Sequence, residues 1–292
     1  MLHHLYNFIA GVVFGLANVI PGVSGGTMAV VFGVYERLIN LIANIRKDFK
    51  KELPFVAVFG AGAVVGILAF GKLMKWVLVN HAAEANAFFI GVILGSIPII
   101  AGFAFKKKSK RTGKSKWVFN AGNIIPLIVT FALMIPMALS TASTNEAKEA
   151  AKAAAKAATG GAGGGFSLLD TLLYIVYGVI AVTTMIIPGI SGSFVMLLIG
   201  FYETIITAVA DLNFLVLVPF GLGCVIGLFT VAKLIKWLLK KFKRPSYAAI
   251  LGFVLGSILC IFPGWSQMLA FWPILMVVVG FAAITLCNRI SE

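Results

Sequence analysis

Residues 20–36 read IPGVSGGTMAVVFGVYE, and residues 187–203 read IPGISGSFVMLLIGFYE. The Pro, Gly, Ser and Gly of the turn match between the two stretches, and so do the later Gly, Tyr and Glu, all at one offset of 167. Chance similarity between apolar helices does not give such an ordered series of identities. The two stretches therefore indicate a duplicated unit, and an internal repeat constrains the whole fold.

Two further blocks extend the repeat along the chain. Residues 62–78 read GAVVGILAFGKLMKWVL, and residues 223–239 read GCVIGLFTVAKLIKWLL. The third block consists of small residues in matching positions: Gly91, Gly95 and Ser96 in the first copy, and Gly252, Gly256 and Ser257 in the second. Both later blocks share an offset of 161. The second copy has therefore lost six residues in one connecting loop (167 − 161).

The repeat predicts three parts of the chain: a first unit of residues 1–139, an external linker of residues 140–166 and a second unit of residues 167–292. The linker contains EAKEAAKAAAKAATGGAGGG. Its alanine-rich part resembles a semi-rigid helical spacer, and its glycine part resembles a flexible linker. We interpret it as a connector between the repeats, with a lid over a substrate site as the alternative.

The composition is that of a membrane protein. Of the 292 residues, 60% are hydrophobic and 12% are charged, with a mean hydropathy of +1.03, whereas soluble domains carry roughly a quarter charged residues. Apolar runs of about 20 residues recur along the chain, long enough to span a bilayer. The first of them, residues 5–20, lacks the charged start and small-residue cleavage site of a signal peptide. We therefore expect an all-α polytopic membrane protein.

Charge and cysteine content exclude two other classes. The net charge of +14 suggests nucleic acid, but the basic residues lie in short loops between apolar segments, where membrane proteins keep cytoplasmic charge. The cysteines and histidines have no metal-ligand spacing: Cys224, Cys260, Cys287, His3, His4 and His81. We therefore predict no nucleic acid partner, no metal and no cofactor.

Each copy begins with a segment that is too long for one membrane span. Residues 5–45 would make a helix of about 60 Å, twice the hydrocarbon thickness. The turn PGVSGG lies near the middle, where proline removes a donor and the glycines permit a sharp reversal. We therefore predict a broken, re-entrant hairpin of two short helices, followed by three transmembrane helices.

The distribution of charge tests the number of crossings. Residues 46–52, 106–116 and 233–244 carry four, seven and six basic residues, whereas residues 140–170 carry three basic and three acidic ones. If each broken segment is a hairpin, the three basic loops lie in the cytoplasm and residues 140–170 lie outside, as the positive-inside rule requires. Each unit then has an odd number of crossings. The sequence thus predicts two inverted-topology repeats, an arrangement typical of secondary transporters.

The two turns are the predicted substrate site. Irregular backbone at membrane depth is tolerated where it is buried in protein or lines a polar cavity. A helix N-terminus presents free N–H groups and partial positive charge, which suit a phosphate or another small anion. The candidate binding residues follow each turn: Ser24, Gly25, Gly26 and Thr27 in the first copy, and Ser191, Gly192 and Ser193 in the second. The alternative is a turn that only packs helices.

Charged residues follow each turn as well. Glu36 and Glu203 occupy equivalent positions, and a carboxyl group at membrane depth is a candidate for ion coupling; the alternative places both in the hydrated interface. Arg37 has no copy, since Thr204 stands opposite it. We predict that Arg37 neutralises the charge of the ligand, with pairing to nearby acids as the alternative.

The paired PGVSGGT and PGISGS turns, each followed by GxYE, closely resemble those of the PopT-type polyprenyl-phosphate translocases. The likeness covers nearly the whole chain except the linker. The resemblance implies that the protein flips undecaprenyl phosphate from the outer to the inner leaflet of the bacterial cytoplasmic membrane. Such flipping recycles the lipid carrier of peptidoglycan and other envelope polymers. Moving a phosphate inward works against the membrane potential, so we predict coupling to an ion, with a proton favoured.

Two rival functions remain. Undecaprenyl-pyrophosphate phosphatases also combine inverted repeats with a PGxSRSxxT turn, but Gly25 and Gly192 stand here at the arginine position. The acidic ExxxE pair of those enzymes is missing from every membrane segment, so the chain lacks an obvious acid–base group. We therefore predict a transporter and not an enzyme. A channel or carrier for a small anion is the second alternative.

Overall fold

The structure, a computed structural model, describes residues 2–19, 23–108, 115–142, 167–192, 195–196 and 199–291. These residues form almost entirely α-helices, together with one small antiparallel pair of strands. In chain order the elements are α1 (Leu2–Val19), α2 (Gly25–Val31), α3 (Tyr35–Ala43), α4 (Ile45–Asn80), α5 (Ala82–Phe105), β1 (Lys106–Lys108), β2 (Ser115–Trp117), α6 (Ala121–Ala142), α7 (Leu168–Ile186), α8 (Tyr202–Ala210), α9 (Phe214–Lys241), α10 (Lys243–Ile261), α11 (Trp265–Met268) and α12 (Phe271–Ser291).

Among the described residues, six helices are long and apolar enough to cross a membrane: α4, α5, α6, α7, α9 and α10. The pair α2 and α3 passes the same test together but is bent by 116°. Large apolar side chains cover the outside of these helices; Leu68, for example, is 72% exposed. Because such a surface is stable in lipid and not in water, the chain is a multi-pass membrane protein, and the predicted all-α fold class is confirmed.

The broken segment of the first copy differs in detail from the predicted pair of short helices. Its first arm, α1, is a helix of 18 residues, and only its second arm is short and divided, into α2 and α3. The division lies at Gly33, whose φ of +65° is a conformation that glycine adopts without strain. Gly200, in the matching place, has a φ of +73°.

Glycines hold parallel helices in close contact within each half. A Cβ at Gly62 of α4 would collide with the Phe8 carbonyl of α1, and a Cβ at Gly223 of α9 would collide with the Ile175 carbonyl of α7. These contacts match at the offsets of the sequence repeat, 161 for the glycines and 167 for their partners. Small residues of this kind let helix backbones approach closely where no water drives association.

The last helix of each half packs on the other half. Gly91 of α5 lies against Val277 of α12, and Gly252 of α10 lies against Leu127 of α6. In both pairs the contacts advance in the same direction along the two helices, so the helices are parallel. The third helices are thus exchanged between the halves, which ties the halves into one bundle.

Several helices start or end at one end of the bundle, which we call the basic end. Arg37 of α3 pairs with Glu52 of α4, Phe103 of α5 stacks on Tyr247 of α10 at 4.8 Å between ring centroids, and Asn123 of α6 donates to the Ala104 carbonyl. The predicted inversion of the repeats across a membrane and the three-part division of the chain stay predictions. Most of the linker, residues 143–166, lies outside the described residues.

Candidate functional site

The first turn leads into a short, fully buried helix. Ser24 precedes α2 with extended backbone (φ −98°, ψ 127°), and its carbonyl accepts the first helical hydrogen bond, from Met28 N–H at 3.2 Å. Every residue of α2 is buried. The predicted helix start at Ser24 is therefore confirmed, but α2 has only seven residues. Its dipole is correspondingly small, so local N–H and hydroxyl groups matter more than the macrodipole that we expected.

The second turn repeats this geometry. It follows the end of α7 through buried Pro188 and through Gly189, whose φ is +90°. The Ser191 carbonyl accepts from Val195 N–H at 3.1 Å, as the Ser24 carbonyl accepts from Met28. Of the predicted residues at this turn, Ser191 and Gly192 are buried, and Ser193 lies outside the described residues.

The two turns are joined directly. Gly189 N–H donates to Thr27 Oγ1 at 2.7 Å in a buried hydrogen bond, and Tyr35 Oη donates to the Ile186 carbonyl at 3.2 Å. A Cβ on Gly26 would lie 3.2 Å from that same carbonyl oxygen, so the backbones approach as closely as glycine allows. Gly26 and Thr27 therefore hold the turns together.

Ser24, Gly25, Ser191 and Gly192 line one cavity of about 210 Å³, which we call the turn cavity. Asn18 and Tyr202 add polar groups to its wall, and the remaining lining is apolar. One water takes about 30 Å³ of the liquid, so the cavity has room for a phosphate-sized group with part of its hydration. The turns thus form one shared pocket between the two halves.

No charged side chain lines the turn cavity among the described residues. Where the rival phosphatases carry arginine, Gly25 lies against the Asn18 amide and Gly192 lies against the Met185 side chain. Asn18 and Met185 occupy matching positions of the repeat. The cavity therefore offers hydroxyl, amide and backbone donors without a cationic clamp or a carboxylate for acid–base chemistry. In the part of the chain that the structure describes, no cluster of His, Cys, Asp or Glu is suited to a metal.

The charged residues that we predicted lie away from the turn cavity. Arg37 Nε bonds Glu52 Oε2 at 2.6 Å, and the guanidinium lies 4.0 Å from the centroid of the Phe55 ring. Glu36 Oε1 accepts from Tyr247 Oη at 2.6 Å and pairs with Lys243 Nζ at 3.1 Å. Glu203 is exposed at the start of α8. The structure thus brings together the turns but not these three side chains.

Sequence reasoning missed Asn18 and Tyr247. Asn18 donates its amide to the Phe14 carbonyl at 2.8 Å and faces Gly25; a single Asn near the end of an apolar helix was the available signal. Tyr247, 211 positions away from Glu36, gave no local signal.

Comparison with known proteins covers nearly the whole chain. The model of the VCA0040-like family, described as undecaprenyl phosphate translocase-like, matches residues 14–273. A polyprenyl-phosphate transporter of Vibrio cholerae serotype O1 is 30% identical over 92% of this chain and 80% of its own length. A polyprenyl-phosphate transporter of Staphylococcus aureus is 28% identical over 98% of this chain and 96% of its own. No solved structure matches the chain significantly.

Proposed function

Because the chain belongs to the undecaprenyl phosphate translocase-like family, we propose that it moves undecaprenyl phosphate from the outer to the inner leaflet of the bacterial cytoplasmic membrane. Both curated relatives are named for transport of polyprenyl phosphates. In this role the protein is a transporter and not an enzyme. Its activity returns the lipid carrier to the leaflet where envelope polymers are assembled on it.

The turn cavity is the observation that carries this proposal. Buried hydroxyls of Ser24 and Ser191 and the backbone of Gly25 and Gly192 converge on one phosphate-sized space. Hydroxyl and N–H donors replace the water that a phosphate loses inside a membrane. We propose that the headgroup passes through this cavity while the polyprenyl chain stays in the lipid. Ser193 completes the proposed set, with Gly26 and Thr27 holding the turns in place.

The described lining of the turn cavity carries no charged side chain, and this favours transport coupled to a proton. A phosphate monoester carries about −1.5 to −2 charges near neutral pH, and a dianion without a counter-charge is costly to bury. Moving it inward also costs about 2.3 kcal/mol per charge per 100 mV, or roughly 3.5–4.5 kcal/mol at 100 mV. Since about 1.4 kcal/mol is tenfold, the potential alone would hold the headgroup outside by a factor of hundreds or more. A proton that moves with the headgroup lowers both the cost of burying the phosphate and the cost of moving it against the membrane potential.

We propose Glu36 or Glu203 as the group that exchanges this proton. Glu36 lies in the first turn of α3. Its ion pair with Lys243 joins α3 to α10 of the other half. Protonation of Glu36 would remove the negative charge that attracts Lys243 and would therefore weaken this ion pair. Neither carboxylate lines the turn cavity, so neither would couple transport by contact with the headgroup. Protonation of Glu36 would instead act by releasing α3 from α10.

The test is headgroup flipping in proteoliposomes that contain undecaprenyl phosphate, with imposed potential and pH gradients. Gly192→Val forces a side chain against Met185 at the wall of the turn cavity, so we expect it to abolish flipping while membrane insertion stays intact. Gly221→Val is the matched control, because a Cβ at Gly221 meets no atom within 4 Å. Wild-type flipping that ignores both gradients and survives Glu36→Gln with Glu203→Gln would instead describe a passive scramblase. Flux of inorganic phosphate without lipid flipping would assign the protein to small-anion transport.

A further inference from the structure

Helix α3 packs along α9 near the basic end, and residues of both helices line two cavities. The larger has about 480 Å³ and is lined by Arg46, Lys47 and Lys233 beside Phe229 and other apolar groups. The smaller has about 300 Å³ and is lined by Lys236, Lys240, Lys243 and Glu36. We call the six cations and the two cavities that they line the basic groove.

The positive charge of the basic groove is largely uncompensated. Its one acidic lining residue, Glu36, pairs with Lys243, so six cations and one carboxylate leave five net positive charges. The neighbouring Asp48 accepts a hydrogen bond from Asn44 at 3.1 Å. Within the described ranges, the other five cations have no ion pair. Like charges so close together repel one another, and an anion bound between them relieves that repulsion.

The repeat accounts for only part of the groove. Lys233 and Lys236 correspond to Lys72 and Lys75 at the offset of 161. At the offset of 167, however, Arg46 and Lys47 correspond to Asn213 and Phe214, and at the offset of 161 Lys243 corresponds to Ala82. Duplication therefore does not explain the full set of charges. The cations come from α9, α10 and the start of α4, which belong to different halves and meet only in the folded bundle.

We propose that the basic groove binds a phosphate monoester, and that its source is the lipid headgroup after it leaves the turn cavity. This inference rests on the proposed function. Arginine and lysine together suit a phosphate dianion, since arginine donates in a planar fork and lysine acts as a point charge. The larger cavity is lined by Ile42, Ile45 and Phe229 beside the cations. The cations can bind the headgroup, and the apolar side chains can contact the first part of the polyprenyl chain.

Lys241 provides a natural control for the groove. It follows Lys240 directly but is absent from both cavities; its Nζ lies 5.1 Å from the ring centroid of Trp237. Lys107 in β1 is exposed and likewise lines neither cavity. Lys107→Gln with Lys241→Gln therefore removes two positive charges from the same end as Arg46→Gln with Lys233→Gln, without changing the groove.

The experiment measures binding to the full chain in neutral detergent by titration calorimetry. The probes are dioctanoyl phosphatidic acid, a monoester lipid, dioctanoyl phosphatidylglycerol, a diester lipid, and glycerol 3-phosphate. We expect phosphatidic acid to bind best, and Arg46→Gln with Lys233→Gln to raise its Kd about tenfold or more, since hydrogen bonds to charged groups are the strong ones. The control pair should change the Kd less than about twofold.

Three results would overturn the inference. Equal loss in the groove and control pairs would show a general attraction of positive charge, and equal binding of phosphatidylglycerol would remove the preference for a monoester. If glycerol 3-phosphate bound as tightly as phosphatidic acid, the groove would be a site for soluble phosphate monoesters and not for a lipid headgroup. A wild-type protein that binds phosphatidic acid through the groove but flips no undecaprenyl phosphate would overturn the proposed function alone. Unchanged thermal unfolding of both variant pairs confirms that they are folded.

Discussion

Glu36 and Glu203 stand at matching positions in the two halves, each following a tyrosine at the start of a helix, and their surroundings differ. Glu36 accepts from Tyr247 and pairs with Lys243, whereas Glu203 is exposed. The glycine contacts, by contrast, recur in both halves at the offsets of the repeat. The helix contacts thus recur between the halves, whereas the two matching carboxylates differ in exposure.

The largest effect should come from the duplicated contacts. We expect Gly62→Ala and Gly223→Ala each to lower the free energy of unfolding by about 3 kcal/mol, because the new Cβ meets a backbone carbonyl that cannot move aside. Gly60→Ala and Gly221→Ala, two residues earlier on the same helices, meet no atom within 4 Å and should stay within about 1 kcal/mol. Unfolding titrations in mixed micelles measure all four. Unequal losses at Gly62 and Gly223 would show that these two helix contacts are not equivalent in the two halves.

Thr27 should show the next largest effect. It has no copy, since Phe194 stands at the matching position. Thr27→Val leaves the buried Gly189 N–H without its acceptor, so we expect a loss of about 1–3 kcal/mol in the same titration. Thr27→Ser keeps the hydroxyl and should recover most of that loss. A Val variant as stable as wild type would mean that this hydrogen bond does not hold the turns together.

The two carboxylates should then differ in stability. We expect Glu36→Gln to cost about 1–2 kcal/mol, since the neutral amide no longer attracts Lys243 and accepts more weakly from Tyr247. The cost stays in this range because the Glu36 side chain is 37% exposed, so solvent screens its interactions. Glu203→Gln should cost less than Glu36→Gln, because the Glu203 side chain is exposed and its interactions are screened by solvent. Equal effects would place the two carboxylates in equivalent surroundings and remove the proposed asymmetry.

Arg37→Thr converts a first-half residue into its second-half counterpart and should have the smallest effect. Loss of the pair with Glu52 and of the contact with Phe55 should cost about 1 kcal/mol or less. Flipping of undecaprenyl phosphate should change less than about twofold, because Arg37 does not line the turn cavity. A fall in flipping with unchanged stability would support the predicted role of Arg37 in neutralising the ligand.

Local sequence predicted the turns well and the arms around them less well. The Pro-Gly-x-Ser-Gly pattern marked where each apolar segment breaks, because proline and glycine act on the backbone at their own positions. The division between α2 and α3 was missed, although Gly33 and Gly200 are both in the repeat. A glycine in an apolar run is ambiguous, since it marks either a positive φ, as at Gly33, or a close helix contact, as at Gly62.

The sequence by itself determined the class of the protein and the positions of the two turns, and it predicts their duplication, because hydropathy, turn chemistry and repetition are properties of contiguous residues. Only the tertiary structure decided that α6 and α12 pack on opposite halves, that Tyr247 and Lys243 hold Glu36, and that Arg37 pairs with Glu52. These contacts depend on how helices distant in the chain come together. A charged residue near a turn has several partners within reach, and only the packing of the bundle selects among them.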